Sequence, residues 1–397
     1  MLYAFYALAG LLILQGIFSL IEGVRFRAYV LDSLQTPRGS YTPRASILAP
    51  CKGLEIALEE NLRALFRQDY PDYEIVFTLS SSDDPARPVI ERLIAEHSRP
   101  AARIVIAAPS DARSEKVNNL LAALDQSSRD AEAFVFVDSD ARTNPAWLRD
   151  LVSELEDPKV GASTGYRWYL PERGGFCSAL LSAWNGAVAT TLGPHSRNFA
   201  WGGSTAMLKA TFERVNVRAR WRGALSDDYA LTRAVQQAGL SIKFAPRCVL
   251  PSREDAGFRQ LLEFTTRQVT ITRVYRPNAW WTGLISHLLF TMTFFGGLAL
   301  VLISATGGAD TRWLIGMLAA IYVLGTVKGA LRLSAARAML QRERNEIVRM
   351  WWMYCLLWPL VSLVFLYNFV KSAMTRSIKW RGVVYEMRSP TETIVIR

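Results

Sequence analysis

The chain has 397 residues, half of them hydrophobic, and a formal net charge of +11 at pH 7. That is enough apolar sequence for a large core, and it is gathered at the two ends rather than spread evenly. The positive balance does not describe a nucleic-acid binder, because much of the basic excess flanks apolar segments and no nucleic-acid motif accompanies it.

Residues 2–21 carry no charge and are long enough, at about 1.5 Å per residue, to cross a bilayer as a helix. Arg25 and Arg27 follow. No basic side chain precedes the run and no small-residue cleavage site follows it, so it predicts an uncleaved anchor over 1–24 with a cytoplasmic C-terminal side. A cleaved signal peptide is the alternative.

Over 40–280 short β-rich runs alternate with helical stretches, which predicts an α/β domain with a mainly parallel sheet. The expected strands are 46–49, 73–79, 103–107 and 133–137; helices are expected near 56–66, 86–96 and 116–124. After Val137 the alternation loosens. No repeat or low-complexity linker divides this region.

Three further apolar stretches, 284–305, 313–327 and 350–370, fall in the segment 281–371; the middle one is short for a span. Between the last two, Lys328, Arg332, Arg337, Arg342, Arg344 and Arg349 outnumber Glu343 and Glu346, so this loop is expected to be cytoplasmic. The tail, 372–397, is basic as well. With Pro359 in mid-segment, 350–370 is expected to re-enter rather than span, returning the tail to the cytoplasm. The chain thus reads as an integral, multi-pass membrane protein with a cytoplasmic α/β domain, in the inner membrane if bacterial, and with an anionic membrane surface as a partner. Cys51, Cys177, Cys248 and Cys355 match no metal or redox spacing and are expected as free thiols.

Ligands of a parallel α/β sheet bind beyond the carboxyl ends of its strands, so acids just after strands come first. Asp138 and Asp140 end the fourth strand in Val137-Asp138-Ser139-Asp140. Two carboxylates spaced by one residue suit Mg²⁺ or Mn²⁺, hard ions that leave much of their shell to phosphate and water. A turn with solvated acids is the alternative. Asp227 and Asp228 open a helix, where acids serve as caps or, functionally, as a general base toward an acceptor hydroxyl. Asp83 and Asp84, before Pro85, start a helix or contact the ribose or base. Lys116, with Asn118 and Asn119, sits at a helix N-terminus, where phosphate is favoured. Gly203 in Trp201-Gly202-Gly203-Ser204 lets backbone approach a ligand. Arg267 and Gln268 either reach a diphosphate or, for the Arg, snorkel at the interface.

Taken in order, Asp83-Asp84-Pro85-Ala86, Ser114-Glu115-Lys116-Val117-Asn118-Asn119, Val137-Asp138-Ser139-Asp140-Ala141, Trp201-Gly202-Gly203-Ser204-Thr205 and Ser226-Asp227-Asp228-Tyr229-Ala230 resemble the motifs of the inverting GT-A glycosyltransferases of family 2/21 type. Within them they are similar to the ceramide glucosyltransferase-like family and its bacterial relatives, and Trp380-Arg381-Gly382 resembles that family's WRG-type tail. The resemblance implies a GT-A fold, a nucleotide-sugar donor such as UDP-glucose, and a ceramide-like or other lipid hydroxyl as acceptor. It implies Asp228 as catalytic base with Asp227 beside it, Asp138 and Asp140 on Mn²⁺ or Mg²⁺, and Asp84 on the nucleotide. The donor set is completed by Pro50, Asp83, Lys116, Asn119, Gly203, Arg267 and Gln268. His195, in Gly193-Pro194-His195, matches a position near the family's acceptor site, and Trp201 joins it as an acceptor candidate. The family's (Gln/Arg)-x-x-Arg-Trp motif is reduced to the Arg in Phe264-Thr265-Thr266-Arg267-Gln268. A processive polysaccharide synthase would need more apolar segments, and a non-enzymatic nucleotide-binding scaffold would not need a base at Asp228.

Overall fold

The computed structural model describes residues 2–306 and 310–396; Met1 of the expected anchor, residues 307–309, and Arg397 of the expected tail lie outside the described residues. The chain forms two compact units. One gathers Asp32–Trp168, Thr191–Ser252 and Ser377–Arg397; the other gathers Met1–Leu31, Tyr169–Thr190 and Arg253–Arg376.

The first unit is built on a seven-stranded sheet of β1 (Ala45–Pro50), β2 (Tyr73–Leu79), β3 (Ala101–Ile106), β4 (Ala133–Val137), β5 (Val160–Leu170), β6 (Ser204–Leu208) and β7 (Ser241–Arg253), in the order β3-β2-β1-β4-β6-β5-β7. The first four strands are parallel, and β1 and β4 are buried along their whole length and apolar except for Ser46, whose hydroxyl donates to Glu74, as strands covered on both faces must be. β6 runs antiparallel to β4, and β5 antiparallel to β6, so β4 and β5 point the same way two strands apart. The four strands and three helices expected before Val137 are present, shifted by at most two residues at most ends. Their core includes Ile47, Phe77, Ile90, Val135 and Trp147, and the Trp147 indole N–H is satisfied by the Ser204 hydroxyl at 2.8 Å.

The tail is folded. β8 (Ser377–Trp380), β9 (Val383–Ser389) and β10 (Glu392–Ile396) form an antiparallel sheet in the order β10-β9-β8. The β8–β9 turn is Arg381-Gly382, with φ of 48° and 85°, the two positive values a two-residue hairpin turn of this hand needs. This sheet belongs to the first unit: the Val395 amide donates to the Asp111 carbonyl at 3.3 Å, and the Glu115 amide donates to the Tyr385 hydroxyl at 3.3 Å.

The helices Leu2–Gln35, Pro277–Thr306 and Arg312–Met339, all long and apolar enough to cross a membrane, belong to the second unit except for the last residues of the first helix, from Asp32. Phe5, Ala9 and Leu12 of the first pack against Phe290 and Phe294 of the second and Leu314, Leu318 and Ile321 of the third. The stretch 313–327, read as short for a span, lies in a helix of 28 residues, because the helix continues through the basic residues Lys328 and Arg332. Further on, Trp351–Cys355 and Trp358–Met374 are separate helices, with Pro359 in the first turn of the latter, where proline costs no hydrogen bond. The break therefore precedes Pro359, and the following helix is 17 residues long. Phe176–Ala189 and Phe258–Tyr275 also belong to this unit.

Candidate active site

β4 ends at Val137, and the chain turns so that Asp138 and Asp140 follow it at the carboxyl edge of the sheet. Next to them stands Lys116, in the first turn of the helix Glu115–Gln126, whose N-cap Ser114 accepts a hydrogen bond from the Val117 amide at 3.2 Å. Lys116 Nζ lies 2.7 Å from Asp138 Oδ1 and 3.3 Å from Asp227 Oδ2, so one ammonium ties the end of β4 to the start of the helix Asp227–Gln237. Burial opposes the charge on all three groups, with different outcomes. Lys116 is held above the ordinary lysine range by Asp138, Asp227 and Asp228. Asp138 is held below the carboxylate range, because Lys116 and Arg167 outweigh burial. Burial, assisted by Asp228 and Asp138, pushes Asp227 up to about 6 despite Lys116.

The neighbouring acids Asp227 and Asp228 are in different environments. Asp227 is 4% exposed, and its carbonyl accepts the indole N–H of the fully buried Trp221 at 3.0 Å. Asp228 is half-buried and forms no salt bridge among the described residues. Its Oδ1 accepts from the Tyr229 amide at 2.7 Å and pairs with the N-cap Ser226 hydroxyl. Its Oδ2 faces the Gly202 amide at 3.5 Å.

Gly202 is where backbone must come close: a Cβ there would stand 2.1 Å from Asp227 Oδ2 and 2.7 Å from Lys116 Nζ. At Gly203 a Cβ would meet the Trp201 ring at 2.2 Å. The adjacent glycines therefore admit the carboxylate–ammonium cluster on one side and an indole on the other.

Other expected residues hold the surrounding loops. Asp84 Oδ1 accepts from the Gly53 and Ala86 amides, both at 2.9 Å, joining the loop after β2 to the loop after β1; Asp83 is exposed. Pro50 is buried at the end of β1. Asn119 is buried, and its Oδ1 accepts from Ser80 at 3.2 Å. Trp201 is half-buried and lies under the Arg167 guanidinium, 4.8 Å from ring centroid to Cζ. His195 is half-buried, with its Nδ1 buried and without a hydrogen-bond partner among the described residues. Arg267 and Gln268 lie on the helix Phe258–Tyr275 of the second unit, Arg267 with its guanidinium 5.2 Å from the Phe264 ring centroid.

Of three further participants, Arg167 and Glu55 carry no signal in the sequence, and Arg381 is marked only by the tail motif. Arg167, from β5, donates to Asp138 Oδ2 at 3.3 Å and to Asp140 at 3.1 and 3.3 Å. Glu55 accepts from the Ser139 hydroxyl at 2.6 Å, inside the Asp138-Ser139-Asp140 turn, and burial followed by Asp140 raises its pKa. Arg381, in the tail turn, pairs with Glu55 and reaches the Lys52 carbonyl at 3.5 Å.

Asp138 and Asp140 are the chemistry a divalent ion prefers, two hard carboxylates at a partly exposed strand end. Among the described residues no third His, Cys, Asp or Glu completes a metal cluster, so the rest of a shell would come from phosphate and water. The donor set fits Mg²⁺ or Mn²⁺ on those terms.

Residues 7–393 match the sequence pattern of Glycosyl transferase family 21. The chain belongs to that family. This family 21 glycosyltransferase is 21% identical over 357 residues to ceramide glucosyltransferase 3 of Caenorhabditis elegans, a match covering 88% of this chain and 73% of the relative. It is 36% identical over 95 residues to the ceramide glucosyltransferase of Gibberella zeae, covering 23% of this chain and only 18% of that protein. Among solved structures it is similar to the mannosyltransferase PcManGT from Pyrobaculum calidifontis, in complex with GDP-Man and Mn²⁺, with a TM-score of 0.50 at 16% identity, covering 93% of this chain and 99% of the other. That likeness concerns the fold, which is the GT-A fold expected from the sequence.

Proposed function

We propose that this enzyme transfers a hexose, glucose by the relatives named above, from a nucleotide-sugar donor such as UDP-glucose to the hydroxyl of a ceramide-like membrane lipid, with inversion at the anomeric carbon. The observation that carries the reading is the difference between adjacent acids: Asp227 is buried on Lys116, while Asp228 presents a carboxylate oxygen at a helix N-terminus in the same cluster. In the reaction the acceptor oxygen bonds to the anomeric carbon as that carbon's bond to the diphosphate oxygen breaks. The bonding pair leaves with the diphosphate. Asp228 takes the hydroxyl proton on Oδ2, its Oδ1 being engaged by Ser226 and the Tyr229 amide. Lys116 offers fixed positive charge at a helix N-terminus to the departing phosphate. Asp138 and Asp140 would hold Mg²⁺ or Mn²⁺, which supplies Lewis-acid stabilisation of that leaving group when bound.

The membrane supplies the acceptor. The long apolar helices associate the enzyme with it, and the basic flank of the anchor, Arg25 and Arg27, supports a cytoplasmic catalytic unit. The test is incubation of membranes carrying the protein with labelled UDP- and GDP-sugars and extracted lipids, followed by mass analysis of the lipid fraction. A hexosyl-lipid dependent on the protein and on Mg²⁺ or Mn²⁺ is expected; absence of any glycolipid product overturns the acceptor assignment, and full activity in excess chelator overturns the metal assignment.

A further inference from the structure

Lys116 does not neutralise the acids of the site alone. β5 runs parallel to β4 two strands away and carries Arg167 near its carboxyl end, at the edge where Asp138 and Asp140 stand. The guanidinium bridges them: Nη1 is 3.1 Å from Asp140 Oδ2, and Nη2 is 3.3 Å from both Asp138 Oδ2 and Asp140 Oδ1. Its planar fork of donors reaches three oxygens of the two carboxylates at once, two of them on Asp140. Trp201 lies against its face at 4.8 Å, a second support for a desolvated cation.

The space between these carboxylates is also where an ion ligated by both would sit. With Arg167 in place, the two carboxylates Asp138 and Asp140 face two cations, Lys116 and Arg167, which leaves little uncompensated charge on that pair to attract a dication. We propose that Arg167 is the resident counter-cation of the Asp138–Asp140 pair and a mutually exclusive alternative to the divalent ion, so that ion and nucleotide diphosphate bind together, the diphosphate accepting the guanidinium that the carboxylates release. This rests on the metal and donor reading above. Arg167 then links the two ligands: the ion is weakly held until phosphate oxygens offer the guanidinium another partner, and metal and nucleotide each strengthen the other's binding by the same factor.

Binding of Mn²⁺ to the full-length protein in detergent, read from the electron paramagnetic resonance signal of free Mn²⁺, tests this with no turnover required. It is measured without nucleotide, with UDP and with GDP. Wild type is expected to bind Mn²⁺ weakly alone and about tenfold or more tightly with one of the diphosphates. Arg167→Met should bind Mn²⁺ alone about tenfold more tightly than wild type and show little enhancement by nucleotide. Arg167→Lys, which keeps the charge but lacks the planar fork, should fall between them, and serves as the test if the Met variant does not fold. If the variants bind Mn²⁺ alone no better than wild type while nucleotide still enhances binding, the role given to Arg167 is wrong and the metal reading stands. If no protein binds Mn²⁺ under any condition, both fall.

Discussion

A Cβ on Gly202 would stand 2.1 Å from Oδ2 of Asp227, inside any real contact distance, so the backbone at Gly202 and the carboxylate of Asp227 are held in a fit that only glycine permits. The same Cβ would press on Lys116 Nζ at 2.7 Å. Gly202→Ala must therefore move the carboxylate–ammonium pair, and misplacement on the scale of about 1 Å costs on the order of 10² in rate. Transfer activity should fall by about that factor while the far-ultraviolet circular dichroism is kept. Gly316→Ala, in an apolar helix with nothing within 4 Å of the new methyl, is the matched control and should change neither.

Asp228→Asn preserves the shape and the Oδ1 hydrogen bonds but cannot take a proton. Turnover should drop by about 10² to 10⁴ with donor affinity nearly unchanged. Asp138→Asn removes a partner of Lys116 and Arg167 and a proposed ligand of the ion, so it should weaken metal-dependent binding of the nucleotide diphosphate as well as the rate. Calorimetric donor binding paired with lipid product per minute distinguishes the two. Near wild-type turnover in Asp228→Asn would leave that acid a helix cap.

Asp227, pushed up to about 6 chiefly by burial, makes a signed prediction. Its folded pKa lies above its unfolded value, so ionisation opposes folding: the cost is absent below the ordinary carboxylate range, grows as pH rises toward about 6, and is constant above. Asp227→Asn removes that cost, and Lys116 keeps Asp138 as a partner. The difference in Tm, variant minus wild type, should therefore rise between about pH 4 and 6.5 and then level. A flat difference across that window would mean that Asp227 does not titrate there.

Arg381 occupies a left-handed position, so its side chain is tested without disturbing the turn by Arg381→Gly. A partly exposed ion pair contributes about 1 kcal/mol or less, so Tm should barely move. Losing the guanidinium frees Glu55, which holds Ser139 between the two acids, and nucleotide affinity should fall several-fold by calorimetry. Removing 377–397 should have a larger effect on the same readout, because Tyr385 and Val395 also bond the loop that leads to Lys116.

The sequence by itself determined what short-range pattern controls. The alternation of apolar runs and amphipathic stretches before Val137 specified four parallel strands and three helices, since each buries a face set by its own periodicity. Charge-free runs marked the long apolar helices, although basic residues hid how far the helix Arg312–Met339 continues. Five short motifs in order identified the family, acids after a strand end marked Asp138 and Asp140, and acids opening a helix marked Asp227 and Asp228. Tertiary structure alone decided how those acids differ. Asp227 and Asp228 are identical neighbours in the sequence; one is buried on Lys116 and the other half-exposed because the helix they open is pinned through Trp221 and Gly202. Arg167 is 27 residues from Asp140, and Glu55 is 84 from Ser139. Arg381 is 326 residues from Glu55. No spacing rule joins such pairs. They meet because of the order in which strands enter the sheet and because the tail folds back on the catalytic unit, and charge interactions depend on distance through space rather than along the chain.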